Sequence, residues 1–196
     1  MYIDSSIKEY LQKLSTDEPI PGGGGTSALV AALGIGLMLM VARISIKKQT
    51  GEKKESLNKV IDTLERMHQN ASDVIDLDPK VYQEVMSSYS EAKKIPDPAK
   101  AQEKIETALK NSFRLQADLA MLIVMAKEFL SSIDSCAKGS IRNDLVVASG
   151  LLGGAFEGAL ATARINAVYM KDEKERAHCE EAITKLKERH SKAKFD

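Results

Sequence analysis

Four consecutive glycines, Gly22, Gly23, Gly24 and Gly25, stand between Pro21 and Thr26 in the stretch PIPGGGGTS. Glycine loses more backbone freedom on folding than any other residue, so a run of four is costly unless bare backbone is needed. Entering a helix, such a run presents N–H groups with no Cβ in front of them, at the positive end of the helix dipole. A flat ligand or an oxyanion can approach that surface. Pro19 and Pro21 fix φ on the way in, which makes a slack tether the weaker reading. No nucleotide motif is present: no Gly-Lys-Ser/Thr follows, and no strand or G-x-G-x-x-G spacing surrounds the glycines. Arg164 also carries chemical potential, because a charge inside an apolar segment needs an acidic partner or a ligand.

The other reactive residue types do not assemble. Cys136 and Cys179 form no CxxC pair and have no metal-type spacing with His68, His178 or His190, so no metal site is expected. Two reduced thiols in a cytoplasmic protein is the expectation, and the first ten residues show no signal-peptide pattern. The formal net charge of +0, from 28 basic and 28 acidic residues, gives no global pull towards nucleic acid or anionic membrane. Any anion site must therefore be local. Trp is absent and aromatics make up 5%, which argues against stacking of bases.

The elements that would position these residues read as helices throughout. Nothing sustains a period-2 alternation. Ser5 or Ser6 caps a short first helix carrying Ile7, Tyr10, Leu11 and Leu14, and Thr26 or Ser27 caps a long one to about Lys48. Ala28 to Ala42 is 15 residues without a charge, short of the roughly 20 that a bilayer crossing needs, so a bundle helix is expected rather than a membrane span. A helix marked by Leu57, Val60, Ile61, Leu64 and Met67 follows Gly51. Asp78-Pro79 is expected to begin another, with Pro at the tolerated first position. Pro98 begins the next, and Leu115, Leu119, Leu122, Ala126, Phe129 and Ile133 follow the 4-3 spacing of a bundle seam. An apolar helix from about Asn143 to Tyr169 and a charged one from about Lys171 to Lys192 complete the chain. The fold class is all-α: a single domain over residues 1–196, an antiparallel bundle of about seven or eight helices. In the late apolar helix Gly150, Gly154 and Gly158 recur every four residues, with Gly153 beside them. They point to close helix packing, within a subunit or across a dimer.

PIPGGGGTSALVAALGIGLMLMVARIS resembles the opening of the cyclodeaminase/cyclohydrolase family, whose hallmark is P-x-P-G-G-G-S, an apolar helix and a lysine cluster. That family includes formiminotetrahydrofolate cyclodeaminase and the serine-cycle type of methenyltetrahydrofolate cyclohydrolase. Three further blocks are similar, in the family's order. DLDPKVYQEVM aligns Asp78 and Tyr82 with an acidic and an aromatic position. Lys94-Ile95-Pro96 resembles the end of that helix. NDLVVASGLLGGAFEGALATARINAVYMKDE aligns Asp144 with the family's aspartate, and Arg164 and Asn166 with its R-I-N. Gly25 stands where the family has Ser, Asn143 where it has the Ser before the aspartate, and Thr162 where it has Asn.

The resemblance implies folate one-carbon chemistry: methenyltetrahydrofolate cyclohydrolase or formiminotetrahydrofolate cyclodeaminase activity on a tetrahydrofolate substrate, mono- or polyglutamylated, with no tightly bound cofactor. It also implies a homodimer. The reacting carbon lies in an amidinium-like cation, which a carboxylate stabilises while a general acid/base moves protons. Asp144 and Asp78 are the catalytic candidates, each with a helix-cap role as its competing reading. The folate-binding candidates are Pro21, Gly22, Gly23, Gly24, Gly25, Tyr82, Arg164 and Asn166, with Lys47 and Lys48 either holding the glutamate tail or lining a solvated helix end. A non-catalytic, folate-binding or structural homodimer descended from the family is the alternative reading.

Overall fold

A computed structural model describes residues 1–195. These residues form seven α-helices, two 3₁₀ turns and no strand. They are α1 (Ile7–Leu14), α2 (Gly23–Ile46), α3 (Gly51–Ala92), α4 (Pro98–Lys127), α5 (Leu130–Asp134), α6 (Arg142–Tyr169) and α7 (Glu173–Lys192), with the 3₁₀ turns at Tyr2–Asp4 and Gly139–Ile141. Six of the helices reach eight residues or more, and α5 is a single turn.

The ends follow local chemistry. Ser6 caps α1 in a reciprocal box with Glu9. Asp97 caps α4 with Pro98 at its first position, and Asp172 caps α7. Two boundaries differ from the sequence reading. α2 begins at Gly23 with Gly22 as its cap, so three glycines form its first turn instead of preceding a Thr26 or Ser27 cap. Pro79 does not open a new helix. It lies inside α3, which runs unbroken for 42 residues, about 63 Å at the helical rise. One missing N–H is a local loss that packing along both flanking arms offsets.

α2, α3, α4 and α6 are the four walls of the bundle. Each packs on two neighbours in the cyclic order α2–α3–α4–α6. Matched contacts run in opposite directions along every adjacent pair, so the bundle is antiparallel throughout. Examples are Gly34 on Leu152 for α2 and α6, and Gln116 on Asp78 for α3 and α4. The core includes Ile35, Met38, Leu64, Ile75, Leu109, Leu119, Ile123, Leu145, Leu152 and Phe156. On α4 the buried line is centred on Leu109, Ser112, Gln116, Leu119 and Ile123; Leu115 and Leu122 of the expected seam are half-buried beside it. α7 lies across α4 and α6. α2 and the segment Gly139–Tyr169 are long and apolar enough to cross a bilayer by length and composition, but each packs against two other bundle walls, as a bundle-core helix does.

The α6 glycines divide. A Cβ on Gly158 would overlap the Ser27 side chain of α2, whereas Cβ atoms on Gly150, Gly153 and Gly154 would meet nothing within 4 Å. Close packing inside the chain therefore accounts for one glycine of the row and not for the other three.

Candidate functional site

The first turn of α2 meets the middle of α3 at Pro79. Because Pro79 has no N–H, the Ile75 carbonyl one turn earlier lacks its helical donor. That carbonyl lies 3.3 Å from where a Cβ on Gly25 would sit. A Cβ on Gly24 would overlap Asp78 Oδ1 and Gln116 Nε2. Glycine is needed at 24 and favoured at 25 because helix α2 starts directly against a side chain and a carbonyl of α3.

Asp78 is fixed from two sides. The backbone N–H of Gly25 donates to Oδ2 at 2.8 Å, and the Gln116 side-chain amide donates to Oδ1 at 2.8 Å. Burial pushes the Asp78 carboxyl above its ordinary value, opposed by the Gly25 and Gln116 hydrogen bonds. A carboxyl raised in this way is better matched to proton transfer near neutral pH than a solvated one. The N–H groups of Gly23 and Gly24 open the helix with no intrahelical acceptor available to them. Above Asp78, the Tyr10 hydroxyl approaches Thr26 Oγ1 at 3.3 Å, and Thr26 Oγ1 in turn donates to the Gly22 carbonyl at 2.8 Å.

From this corner a groove of about 410 Å³ runs between α3, α4 and α6. Pro19, Ile20 and Gly22–Gly24 close one end, around Asp78 and Thr162; Tyr89 and Tyr169 mark the other. The walls between them are largely apolar or aromatic: Tyr82, Val85, Met86, Leu109 and Ile165. Ser112, Thr162 and Asn166 are the neutral polar groups, and Asn166 Nδ2 is spent on the Thr162 carbonyl at 2.8 Å. Asp78 is the only charged residue among the described residues lining the groove. An apolar slot with a few convergent polar groups is what a planar organic ligand requires.

Of the residues singled out from sequence, Gly22, Gly23, Gly24, Asp78, Tyr82 and Asn166 meet at this groove. Gly25 contributes its N–H from just behind it. Pro21 is buried, joined to Ile20 by a cis peptide bond, and supports the loop without lining the groove. Four expectations are not met within one chain. Asp144 is in the first turn of α6, 18 residues before Thr162, about 27 Å along the helix. It makes no capping hydrogen bond either, the cap position being Ile141. Lys47 and Lys48 follow the far end of α2, about 36 Å from Gly23. Arg164 does not line the groove and pairs with Glu180 of α7 at 3.5 Å, a surface partner for its charge. The antiparallel order sets these separations: the C-terminal half of α6, not its start, lies beside the start of α2.

Sequence reasoning missed Gln116, Ser112, Thr162 and the tyrosines Tyr89 and Tyr169. One signal was present for Gln116: an amide four residues after Ser112 and three before Leu119, in helical register with the buried face of α4. Among the described residues no group of three or more His, Cys, Asp or Glu side chains is placed to hold a metal ion. Cys136 is half-buried and Cys179 buried, both as free thiols.

A family model described as Formiminotransferase-cyclodeaminase matches residues 6–185. The chain is 31% identical over 111 residues to a methenyltetrahydrofolate cyclohydrolase of Methylorubrum extorquens, a match covering 54% of this chain and 53% of that protein. It is 28% identical over 174 residues to a formimidoyltransferase-cyclodeaminase of Gallus gallus, covering 86% of this chain and 31% of that one. The chain thus spans about half the length of the first relative and about a third of the second. In three dimensions it is similar to a crystal structure of formiminotetrahydrofolate cyclodeaminase from Thermotoga maritima, with a TM-score of 0.85 at 20% identity over 97% of this chain and 92% of that one.

Proposed function

The chain belongs to the formiminotransferase-cyclodeaminase family, and on that premise we propose that it is a folate one-carbon enzyme acting on the C1 unit of a tetrahydrofolate. The observation that carries this reading is the charge pattern of the groove: one half-buried carboxylate, Asp78, and no cation among the described residues that line it. Such a slot favours a flat, positively charged group. The methenyl bridge and the protonated formimino group are both amidinium-like cations.

In the hydrolytic direction, water forms a C–O bond to the bridging carbon and gives up a proton. One C–N bond then breaks as the hydroxyl loses its remaining proton and the freed amine takes one, leaving a formyl group with one proton released overall. In the deaminating direction, the arylamine nitrogen forms the new C–N bond and gives up its proton, and the formimino nitrogen takes one before its C–N bond breaks and it departs as ammonia. In either case Asp78 stabilises the cation and relays the proton, held in place by Gly25 and Gln116. Tyr82, Tyr89 and Tyr169 flank the flat ring system. A glutamate tail would leave by the Tyr169 end, where Lys171 stands two residues further on.

We further propose that the enzyme works in the cytoplasm, as a single domain and as a homodimer paired through the outer face of α2 and α6. Leu33, Met40 and Ile44 of α2 are exposed there, as are Val147 and Val168 of α6. Gly150 and Gly154 sit in the same face with open space above them.

Spectrophotometry tests the activity. Purified protein should accelerate loss of the methenyl absorbance from methenyltetrahydrofolate, or its appearance from the formimino compound with ammonia released. Acceleration of neither reaction would overturn the reading.

A further inference from the structure

Gln116 is completely buried in the middle of α4, yet only half of its amide is satisfied. Nε2 donates to Asp78 Oδ1 at 2.8 Å, while Oε1 has no hydrogen-bond partner. The orientation is forced. An ionised carboxylate only accepts, so turning the amide over would set oxygen against oxygen. Buried polar atoms are almost always paired, and a lone unpaired acceptor in a core calls for an explanation. A Leu or Met at 116 would fill the same space with no orphan oxygen. What the amide supplies that they cannot is one donor, aimed at the carboxylate of the groove.

We propose that Gln116 is a positioning residue for Asp78: its amide, acting with the Gly25 N–H, fixes which way the carboxylate faces the groove and how readily it gives up its proton. This rests on the folate reading for its consequence in turnover, but not for its effect on Asp78 itself. Gln116 is absent from the groove lining, so it acts on substrate only through Asp78. The surroundings leave few other groups to do this work. From α1 the one titratable neighbour coupled to Asp78 is Tyr10, whose hydroxyl is engaged with Thr26. Around Asp78, α2 presents glycine backbone, and the groove residues that α4 and α6 contribute, Ser112 and Thr162 among them, carry no charge. A hydrogen bond to the charged form of an acid favours that form, and Gln116 and Gly25 are the two groups supplying one.

Direct titration of Asp78 by carboxyl-¹³C NMR tests the proposal, with Asp78→Asn used to assign the signal. Gln116→Met keeps the volume and removes the donor. Asp78 should then titrate about one to two pH units higher than in the wild type. The acidic limb of kcat/KM should move by the same amount, with kcat at neutral pH falling and KM changing less than about twofold. Gln116→Glu is the second variant. Its carboxyl holds the contact only while protonated, so the two acids should titrate as a coupled pair, with Asp78 losing its simple single-step curve. An Asp78 titration unchanged in either folded variant would overturn the proposal and leave Gln116 a packing residue. If the wild-type protein turns over neither folate, the activity reading fails, and the NMR titration alone decides the role of Gln116.

Discussion

Adjacent glycines at the start of α2 are expected to respond to the same substitution in opposite directions. At Gly24 an added methyl group overlaps Asp78 Oδ1 and Gln116 Nε2. The helix gains up to about 1 kcal/mol from replacing glycine by alanine. Against this stand an overpacking cost of about 1–3 kcal/mol and the loss of a hydrogen bond to a charged group, about 1.5–3 kcal/mol. Gly24→Ala should therefore lose about 1.5–5 kcal/mol of stability. A carboxylate pushed about 1 Å from its working position should also lower turnover about a hundredfold. At Gly23 the added Cβ would meet only Thr162 Oγ1, at an ordinary 3.7 Å. Gly23→Ala should be neutral or gain up to about 1 kcal/mol, chiefly by restricting the unfolded chain. Urea unfolding of both variants, with initial rates on methenyltetrahydrofolate, reads the contrast. Equal stability and activity of Gly24→Ala and wild type would refute the close approach of α2 to Asp78; so would equal damage from the two substitutions.

Two further outcomes are expected. His190 stacks on Phe156 with ring centroids 3.9 Å apart, and its Nε2 lies 3.0 Å from Lys127 Nζ. Burial, reinforced by the Lys127 charge and opposed by Glu157, holds the imidazole below its ordinary value. The folded state therefore resists the proton that the unfolded chain accepts. This contribution to stability is complete above the ordinary histidine value of 6.5 and is lost as pH falls through and below it. His190→Gln, which keeps an acceptor for Lys127, should flatten the drop in the urea midpoint between pH 7.5 and 5.5; an unchanged drop would show that His190 is not its source. For assembly, light scattering should give twice the 21.4 kDa chain mass for wild type, and Gly154→Leu should shift it towards one chain. A wild-type mass of one chain would remove the α2–α6 interface.

Much of the fold could be read from local chemistry, because each feature was a short-range one. The cap at Ser6 and the helix start at Pro98 depend on neighbours in sequence. Pro79 misled because a proline costs one hydrogen bond wherever it stands. Whether a helix ends there depends on packing partners that the sequence does not display. At the site, the glycine run and Asp78 were legible, the first by its steric cost and the second by its motif. Asp144, Lys47, Lys48 and Arg164 lie away from the groove within one chain for one reason. A motif says which residues belong to a family, but the antiparallel order of four helices decides which helix ends meet. Gln116 was overlooked because its role needs a carboxylate 38 positions away, and no local pattern marks such a pair.

Asp78, held against the start of α2, is the proposed chemical centre of a folate one-carbon enzyme. Comparing wild type with Asp78→Asn on methenyltetrahydrofolate and its formimino counterpart, at equal helical content by circular dichroism, tests it most directly. Wild type should turn over at least one of the two substrates, and the variant should lose about a hundredfold or more in kcat. Undiminished turnover by Asp78→Asn would contradict that role.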